Sequence, residues 1–151
     1  MSHHHVRSID HTVQTTKRWL ADLAELIGTD DREFAQRVLR TWLHVVRDGL
    51  TVDGTAHFAA QLPDLLRGVY YNGWDPSAVP VRRDRHQFVE HFARTGRIAI
   101  SDVPGLASTV TRFLCQELSE QSVVHALDRL PRDVRGVLLP SAPARRPDAA
   151  T

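Results

Sequence analysis

The sequence predicts an all-α fold in which two pseudo-symmetric helical units, of about four helices each, pack into one bundle-like domain. Apolar residues recur three or four positions apart along most of the chain, which is the spacing of one helix face. No run of alternating β-branched or aromatic residues is long enough to indicate a strand. One pattern of residues also returns after 68 positions, which indicates two related units that share a core.

The first unit is predicted over residues 12–71. Its first helix runs over about 12–27 and ends at Gly28, because glycine readily takes the left-handed conformation that closes a helix. Asp30 is predicted to cap the second helix, and Glu33 three residues later completes a capping-box pattern.

Two short helices are predicted to complete each unit. In the first unit they run over about 53–61 and from Leu62-Pro63 onward, with the proline in the first turn, where its missing N–H costs no hydrogen bond. The second unit is predicted over residues 85–140, and its last helix opens with the same dipeptide, Leu130-Pro131.

The segments outside the units differ in composition. Residues 72–84 contain Asn-Gly-Trp-Asp-Pro and Val-Pro, turn-forming combinations that predict a linker. Residues 1–11 and 141–151 are predicted to be disordered, since the tail in particular has no apolar face to bury. Leucines are expected inside the core at matching places in the two units: Leu50, Leu62, Leu118 and Leu130.

The repeat is in register without a gap. Five of the identical pairs fall within eight residues, in the pattern Leu-Pro-x-x-x-Arg-Gly-Val. Chance is a poor explanation for such a cluster when the helix-ending residues match on both sides as well. The 68-residue shift pairs Gly28 with Gly96, Thr41 with Thr109, Leu50 with Leu118, His57 with His125, Leu62-Pro63 with Leu130-Pro131, and Arg67-Gly68-Val69 with Arg135-Gly136-Val137.

One segment carries a resemblance to a known family. Ala59-Ala60-Gln61-Leu62-Pro63, followed by Leu65-Leu66 and preceded by the long second helix, resembles the bacterial domain of unknown function 2267 family. The resemblance covers roughly residues 12–140, although Arg129-Leu130-Pro131 replaces the usual Gln-Leu-Pro in the second copy. It implies a tandem pair of helical units and a stress-response setting, and it brings no catalytic residue or ligand.

Composition narrows the classes of function. The 19 Lys and Arg residues nearly balance the 18 Asp and Glu residues, so no strong field attracts nucleic acid or an anionic membrane. DNA binding through Arg82-Arg83-Asp84-Arg85 is therefore the weakest alternative. Cys115 is the only cysteine, which excludes an intrachain disulfide. A cytoplasmic location is expected, because neither a secretory signal nor a membrane span is recognisable.

Tyr70, Tyr71 and Trp74 place three aromatic side chains within five residues, beside the linker. Exposed, they would anchor a partner protein, because Tyr and Trp dominate interface energetics. Buried, they would seal the joint between the two units. The buried arrangement is favoured, since large exposed aromatic patches are uncommon on monomers.

Arg67 and Arg135 occupy equivalent positions, each followed by glycine. A pair of anion contacts at helix ends is one hypothesis. The favoured interpretation is structural: each arginine lies in the last turn of its own helix and neutralises the dipole, while the glycine takes the left-handed cap.

His57 and His125 are also equivalent, and metal ligation is the alternative to a surface role. At about 100° per residue, His125 points away from the apolar side of its helix, and no i, i+4 histidine pair or Cys-x-x-Cys motif occurs. Both are therefore predicted to be surface histidines, and neither a metal site nor a cofactor is predicted.

No catalytic constellation is recognisable, because the acidic residues lie at predicted helix ends and no nucleophile or phosphate-binding motif is present. The sequence favours a non-enzymatic interaction or regulatory module that binds another protein. The alternative is a small-ligand or metal-binding protein that uses the cleft between the units. The oligomeric state stays open.

Overall fold

The computed structural model describes residues 6–139, which form eight α-helices and one 3₁₀ turn without any strand. The predicted all-α class is confirmed. The predicted disorder of residues 1–5 and 141–151 lies outside the described residues. The helices are α1 (Arg7–Ile27), α2 (Arg32–Asp48), α3 (Val52–Ala59), α4 (Asp64–Tyr71), α5 (Arg85–Gly96), α6 (Val103–Glu117), α7 (Glu120–Leu127) and α8 (Arg132–Leu138), with the 3₁₀ turn Ile100–Asp102 before α6.

Helix α1 begins five residues earlier than predicted, so the expected disorder of residues 7–11 is wrong. The Val6 carbonyl accepts hydrogen bonds from the backbone N–H groups of Ile9 and Asp10, which closes the first turn. The end of the helix is as predicted. Gly28 has φ 87°, and its N–H donates to the carbonyl of Ala24.

The cap of α2 is Asp31 and not Asp30. The Asp31 carboxylate accepts from the Phe34 N–H at 3.1 Å, while the Asp31 N–H donates to the Thr29 hydroxyl. This one-residue shift removes Glu33 from the position of a capping box, which needs a Glu or Gln side chain three residues after the cap. A complete capping box is present instead at α5, between Asp84 and Gln87.

The two Leu-Pro dipeptides adopt nearly the same conformation. Pro63 and Pro131 are the N-cap residues of α4 and α8, one position before the first turn where they were predicted. Their carbonyls accept the backbone N–H groups of Arg67 and Arg135, respectively. Each proline thus lies at a helix start, where its missing N–H costs no intrahelical hydrogen bond.

The helix contacts are reciprocal between the halves of the chain. Within the halves, α1–α2, α2–α4 and α1–α4 contacts correspond to α5–α6, α6–α8 and α5–α8 contacts. Between the halves, α2 packs on α5 and α1 on α6, while α2 meets α6 and α3 meets α7. Two equivalent units packed together would make this pattern, and the internal repeat itself stays a prediction.

The core is continuous across the halves. Trp42 of α2 is fully buried, and its indole N–H donates to the Thr111 hydroxyl of α6 at 3.0 Å. Leu50, Leu62 and Leu130 are buried as predicted, while Leu118 is only half-buried. Leu130 lies so close to the end of α2 that a side chain at Gly49 would meet it.

Candidate functional site

The predicted left-handed glycine cap is absent after both Arg67 and Arg135, and the predicted place of Arg67 in the last turn of its helix is also wrong. Arg67 lies in the first half of α4, and Gly68 is helical instead of left-handed. The Arg67 side chain donates to the carbonyls of Ala59 and Leu62 at 2.9 and 2.8 Å. It therefore satisfies the end of the preceding helix, α3, where carbonyl groups lack intrahelical partners.

Arg135 makes a different contact from its counterpart. Its guanidinium pairs with Asp128 at 3.3 Å, beside the end of α7. Its Nε is buried without a partner among residues 6–139. Gly136, like Gly68, lies inside its helix and does not form a left-handed cap. The two arginines therefore share a position and differ in their partners.

The aromatic cluster runs from the core to the surface. Tyr70 is fully buried and its hydroxyl donates to the Thr55 carbonyl at 3.1 Å. Burial raises the pKa of Tyr70 well above its usual value. Tyr71 and Trp74 are half-buried, and the ring centroids in the series Tyr70, Tyr71, Trp74 are 5.3 Å apart at each step. Tyr70 thus holds α4 on α3 and is not available to a partner protein.

Arg47 is a buried cation that the sequence analysis missed. Only 4% of it is exposed, and its Nη1 donates to the carbonyls of Tyr70 and Asn72 at 2.7 and 3.0 Å. Its Nε pairs with Asp48 at 2.9 Å. A signal was present, because Arg47 falls between Leu43 and Leu50 on the apolar face of α2.

A groove in the surface lies between α1, α2 and α4. We call it the leucine groove and define it by Leu20, Leu39, Leu65, Leu66, Val69 and Arg40. Leu39 and Leu66 are buried and Leu20 and Val69 half-buried, while Leu65 stands 42% exposed at the edge. The groove has a volume of about 120 Å³, which suits an apolar side chain better than a polar metabolite.

A second concavity lies where α3 meets α7. We call it the histidine cleft. Its volume is about 380 Å³, and its walls include Asp53, His57, His125 and Arg129. The His57 and His125 rings are in edge contact, with centroids 5.8 Å apart. Both histidines are exposed, as the sequence predicted, but their contact was not foreseen.

The match to a family model decides the relationship of the chain to known proteins. Residues 16–137 match the family described as "Uncharacterized conserved protein (DUF2267)". The chain belongs to this family. No curated protein sequence matches it. All residues of the leucine groove and of the histidine cleft lie inside the region that the DUF2267 match covers.

Three other kinds of feature can be compared with the described part of this DUF2267 protein: a metal site, a membrane span and a basic surface. Within residues 6–139, no group of three or more His, Cys, Asp or Glu side chains is arranged to hold a metal ion. None of the helices described is long and apolar enough to cross a membrane. Arg82 and Arg83 of the basic segment line a shallow surface together with Arg94, His91 and Glu90.

His44 of α2 lies beside the leucine groove, and its titration should make the free energy of unfolding depend on pH. Its ring Nε2 is 2.6 Å from the Val69 carbonyl, so Nε2 donates this hydrogen bond. Burial holds the pKa of His44 below its ordinary value of 6.5, and the nearby charges of Arg47 and Arg40 lower it further. The hydrogen bond to Val69 acts in the opposite direction but does not outweigh burial. The unfolded chain therefore takes up this proton more readily than the folded protein.

We expect the free energy of unfolding to fall as the pH drops below 6.5, the ordinary value for histidine. The His44→Gln variant keeps a donor without titrating, and it should flatten this part of the profile. Denaturant titrations between neutral and mildly acidic pH measure the slope. Burial also lowers the pKa of His91, so the variant should keep a residual slope of unfolding free energy against pH. Equal slopes for both proteins would contradict the assignment to His44.

Proposed function

We propose that this protein is a non-enzymatic interaction module whose leucine groove holds an amphipathic helix from a partner protein. The observation that supports this proposal is the groove itself, an apolar concavity between three helices with Leu65 exposed at its edge. Amphipathic helices dock by laying apolar side chains spaced three or four residues apart into such a groove.

A row of α1 side chains, three of them apolar, leads away from the groove. Ile9, Val13, Thr16 and Leu20 follow one another at helical spacing, and Ile9 is 58% exposed. The Thr12 hydroxyl accepts from the Leu65 N–H at 2.9 Å, so the start of α4 is held against this part of α1. The row runs from Ile9 to Leu20 on α1, about 16 Å at 1.5 Å per residue, which is longer than one turn of a bound helix.

The charge at the rim specifies the chemistry of the partner. Arg40 lines the groove, is exposed, and forms no ion pair among residues 6–139. An unpaired cation beside an apolar groove favours a helix that carries Asp or Glu next to its apolar face. Charge complementarity of this kind guides association and fixes orientation more than it adds affinity.

The equivalent edge position in the second half carries an acidic residue instead of a leucine. The 68-residue shift places Asp133 at the position of Leu65. The Asp133 carboxylate is occupied, because it accepts from the Arg85 N–H at the start of α5 at 2.9 Å. The proposed docking surface is therefore specific to the first half.

The wider setting belongs to the same proposal. The two halves descend from one duplicated helical unit, which the reciprocal helix contacts and the matching Leu-Pro conformations support. A cytoplasmic location is part of this proposal, and a role in a stress response rests on the resemblance to the family alone. No catalysis is part of the proposal.

Site-specific photocrosslinking tests the proposal. A benzophenone amino acid replaces Leu65 in one variant and Val124 of α7, which is similarly exposed, in the control. After irradiation in the native cytoplasm, mass spectrometry identifies the linked segments. We expect one acidic amphipathic segment to be linked at position 65 and not at position 124, and to be lost when Arg40→Glu reverses the rim charge.

Three outcomes would overturn the proposal. Links at position 65 that match those at position 124 would show that the groove has no specificity. Links to a second copy of this chain alone would replace the partner helix with self-association. Links that persist unchanged with Arg40→Glu would show that binding does not depend on acidic residues of the partner helix. Circular dichroism and thermal unfolding of each variant establish that the fold is intact, since surface changes usually alter stability by less than about 0.5 kcal/mol.

A further inference from the structure

We propose that His57 and His125 form a transition-metal site that joins the two halves across the histidine cleft. The two rings come from different helices, α3 and α7, and from positions 68 residues apart in the chain. Neither ring forms a hydrogen bond or an ion pair with another described side chain, and each faces the same cleft. This inference is independent of the leucine groove.

The separation of the rings fits one shared ion. Metal–nitrogen bonds of about 2.0–2.1 Å and a tetrahedral angle place the centres of two coordinated imidazoles roughly 5–6 Å apart. The observed centroid distance is 5.8 Å, with the ring planes inclined by 65°. Both histidines are exposed, so small side-chain rotations can direct a nitrogen from each ring to one point without disturbing the core.

Water completes the coordination, because residues 6–139 supply no third ligand at metal-binding distance. Asp53 is the nearest candidate for an outer-shell role. It lines the same cleft and precedes His57 by four residues on α3, which places both on one helix face. A carboxylate there can accept a hydrogen bond from a metal-bound water and so favour binding.

The ligand set indicates the class of metal. Imidazole nitrogens with open water positions suit Cu²⁺, Zn²⁺ and Ni²⁺, and Cu²⁺ binds most tightly in the usual order. Arg129 opposes binding, because its positive charge lines the same cleft. Replacing it should therefore tighten a site in this cleft, an effect that is not expected of metal bound at histidines elsewhere in the chain.

A bound ion would tie α3 to α7 and so stabilise the folded chain. An ion that binds the folded state alone adds RT ln(1 + [L]/Kd) to the free energy of unfolding, and so raises the unfolding temperature. His57 and His125 are 68 residues apart in the chain, so the ion would connect distant segments. The expected readout is thus thermal as well as spectroscopic.

The test uses the full chain in which His3, His4 and His5 are replaced by Ser, because that run can bind metal by itself. Calorimetry and thermal unfolding with Zn²⁺ or Cu²⁺ are compared for this background and for added His57→Gln, His125→Gln, His86→Gln and Arg129→Gln changes. His86 is the matched control, since its side chain is 84% exposed on α5.

We expect the background protein to bind one ion per chain and to unfold at a higher temperature with metal. His57→Gln and His125→Gln should each weaken binding by more than roughly tenfold, His86→Gln should leave it unchanged, and Arg129→Gln should strengthen it. Copper EPR should report two nitrogen ligands that drop to one in either single variant. Metal binding that survives both His57→Gln and His125→Gln, or no binding by the background protein, would overturn the proposal. Unchanged unfolding in EDTA establishes that the variants fold.

Discussion

Replacing Trp42 with alanine should lower the free energy of unfolding by about 3–5 kcal/mol, among the largest effects expected of a core substitution. Trp42 is fully buried in α2, and its ring lies 6.1 Å from that of Phe58. Its truncation removes apolar contacts, leaves a cavity, and breaks the hydrogen bond to Thr111 of α6. Guanidinium titration monitored by circular dichroism measures the loss.

Two milder variants separate the packing from the hydrogen bond. Thr111→Val keeps the volume and leaves the Trp42 N–H unpaired, which should cost about 1–3 kcal/mol. Trp42→Phe removes the donor and part of the ring. If the hydrogen bond links the halves, the double variant should be less destabilised than the sum of the two single variants. Additive effects, or a loss below about 1 kcal/mol for Trp42→Ala, would contradict the central position of this pair.

Replacing Arg47 with methionine should cost about 3 kcal/mol of unfolding free energy, because removal of one partner leaves buried polar groups unpaired. The carbonyls of Tyr70 and Asn72 lose their side-chain donor, and the Asp48 carboxylate loses its neighbouring cation. Methionine keeps most of the side-chain volume, so the loss reports the hydrogen bonds more than the packing. Denaturant titration provides the measurement.

The control for Arg47 is Arg94→Met. Arg94 pairs with Glu90 on the surface of α5, and their side chains are 73% and 48% exposed. Surface ion pairs contribute about 0–1 kcal/mol, so this variant should unfold almost like the wild type. Similar losses for Arg47→Met and Arg94→Met would show that the buried arginine is not a structural anchor.

The fold class was predictable because helical periodicity and the Leu-Pro punctuation are local signals. Leu62 and Leu130 were placed in the core correctly for this reason. The predicted cap of α2 was wrong because Asp30 and Asp31 carry the same side chain. The hydrogen bond from the Phe34 N–H, which identifies Asp31 as the cap, depends on where the helix begins. Local patterns thus identified the elements and missed the start of α1 and the cap of α2.

The contacts at the candidate sites depend on how distant helices pack. Arg67 was assigned to its own helix, since nothing in the sequence indicates that its side chain turns back to Ala59 and Leu62. His57 and His125 were correctly placed on the surface, but their contact requires α3 and α7 to meet. In the proposed duplication, residues at equivalent positions would touch only near the axis that relates the two units.

The leucine groove was the feature hardest to predict. Leu65 and Leu66 are neighbours in the sequence, yet one is 42% exposed and the other is buried. Periodicity alone cannot decide which of two adjacent leucines faces inward in a helix of eight residues. The groove also needs side chains from α1 and α2, which only the tertiary packing brings to α4.

The central claim is that two helical halves share one core and meet where α2 crosses α6 and α3 crosses α7. Nuclear Overhauser contacts in the metal-free chain test it most directly. The account predicts contacts between the imidazole protons of His57 and His125, and between the Trp42 indole N–H and the Thr111 side chain. Contacts confined to each half, with both of these pairs absent, would contradict it.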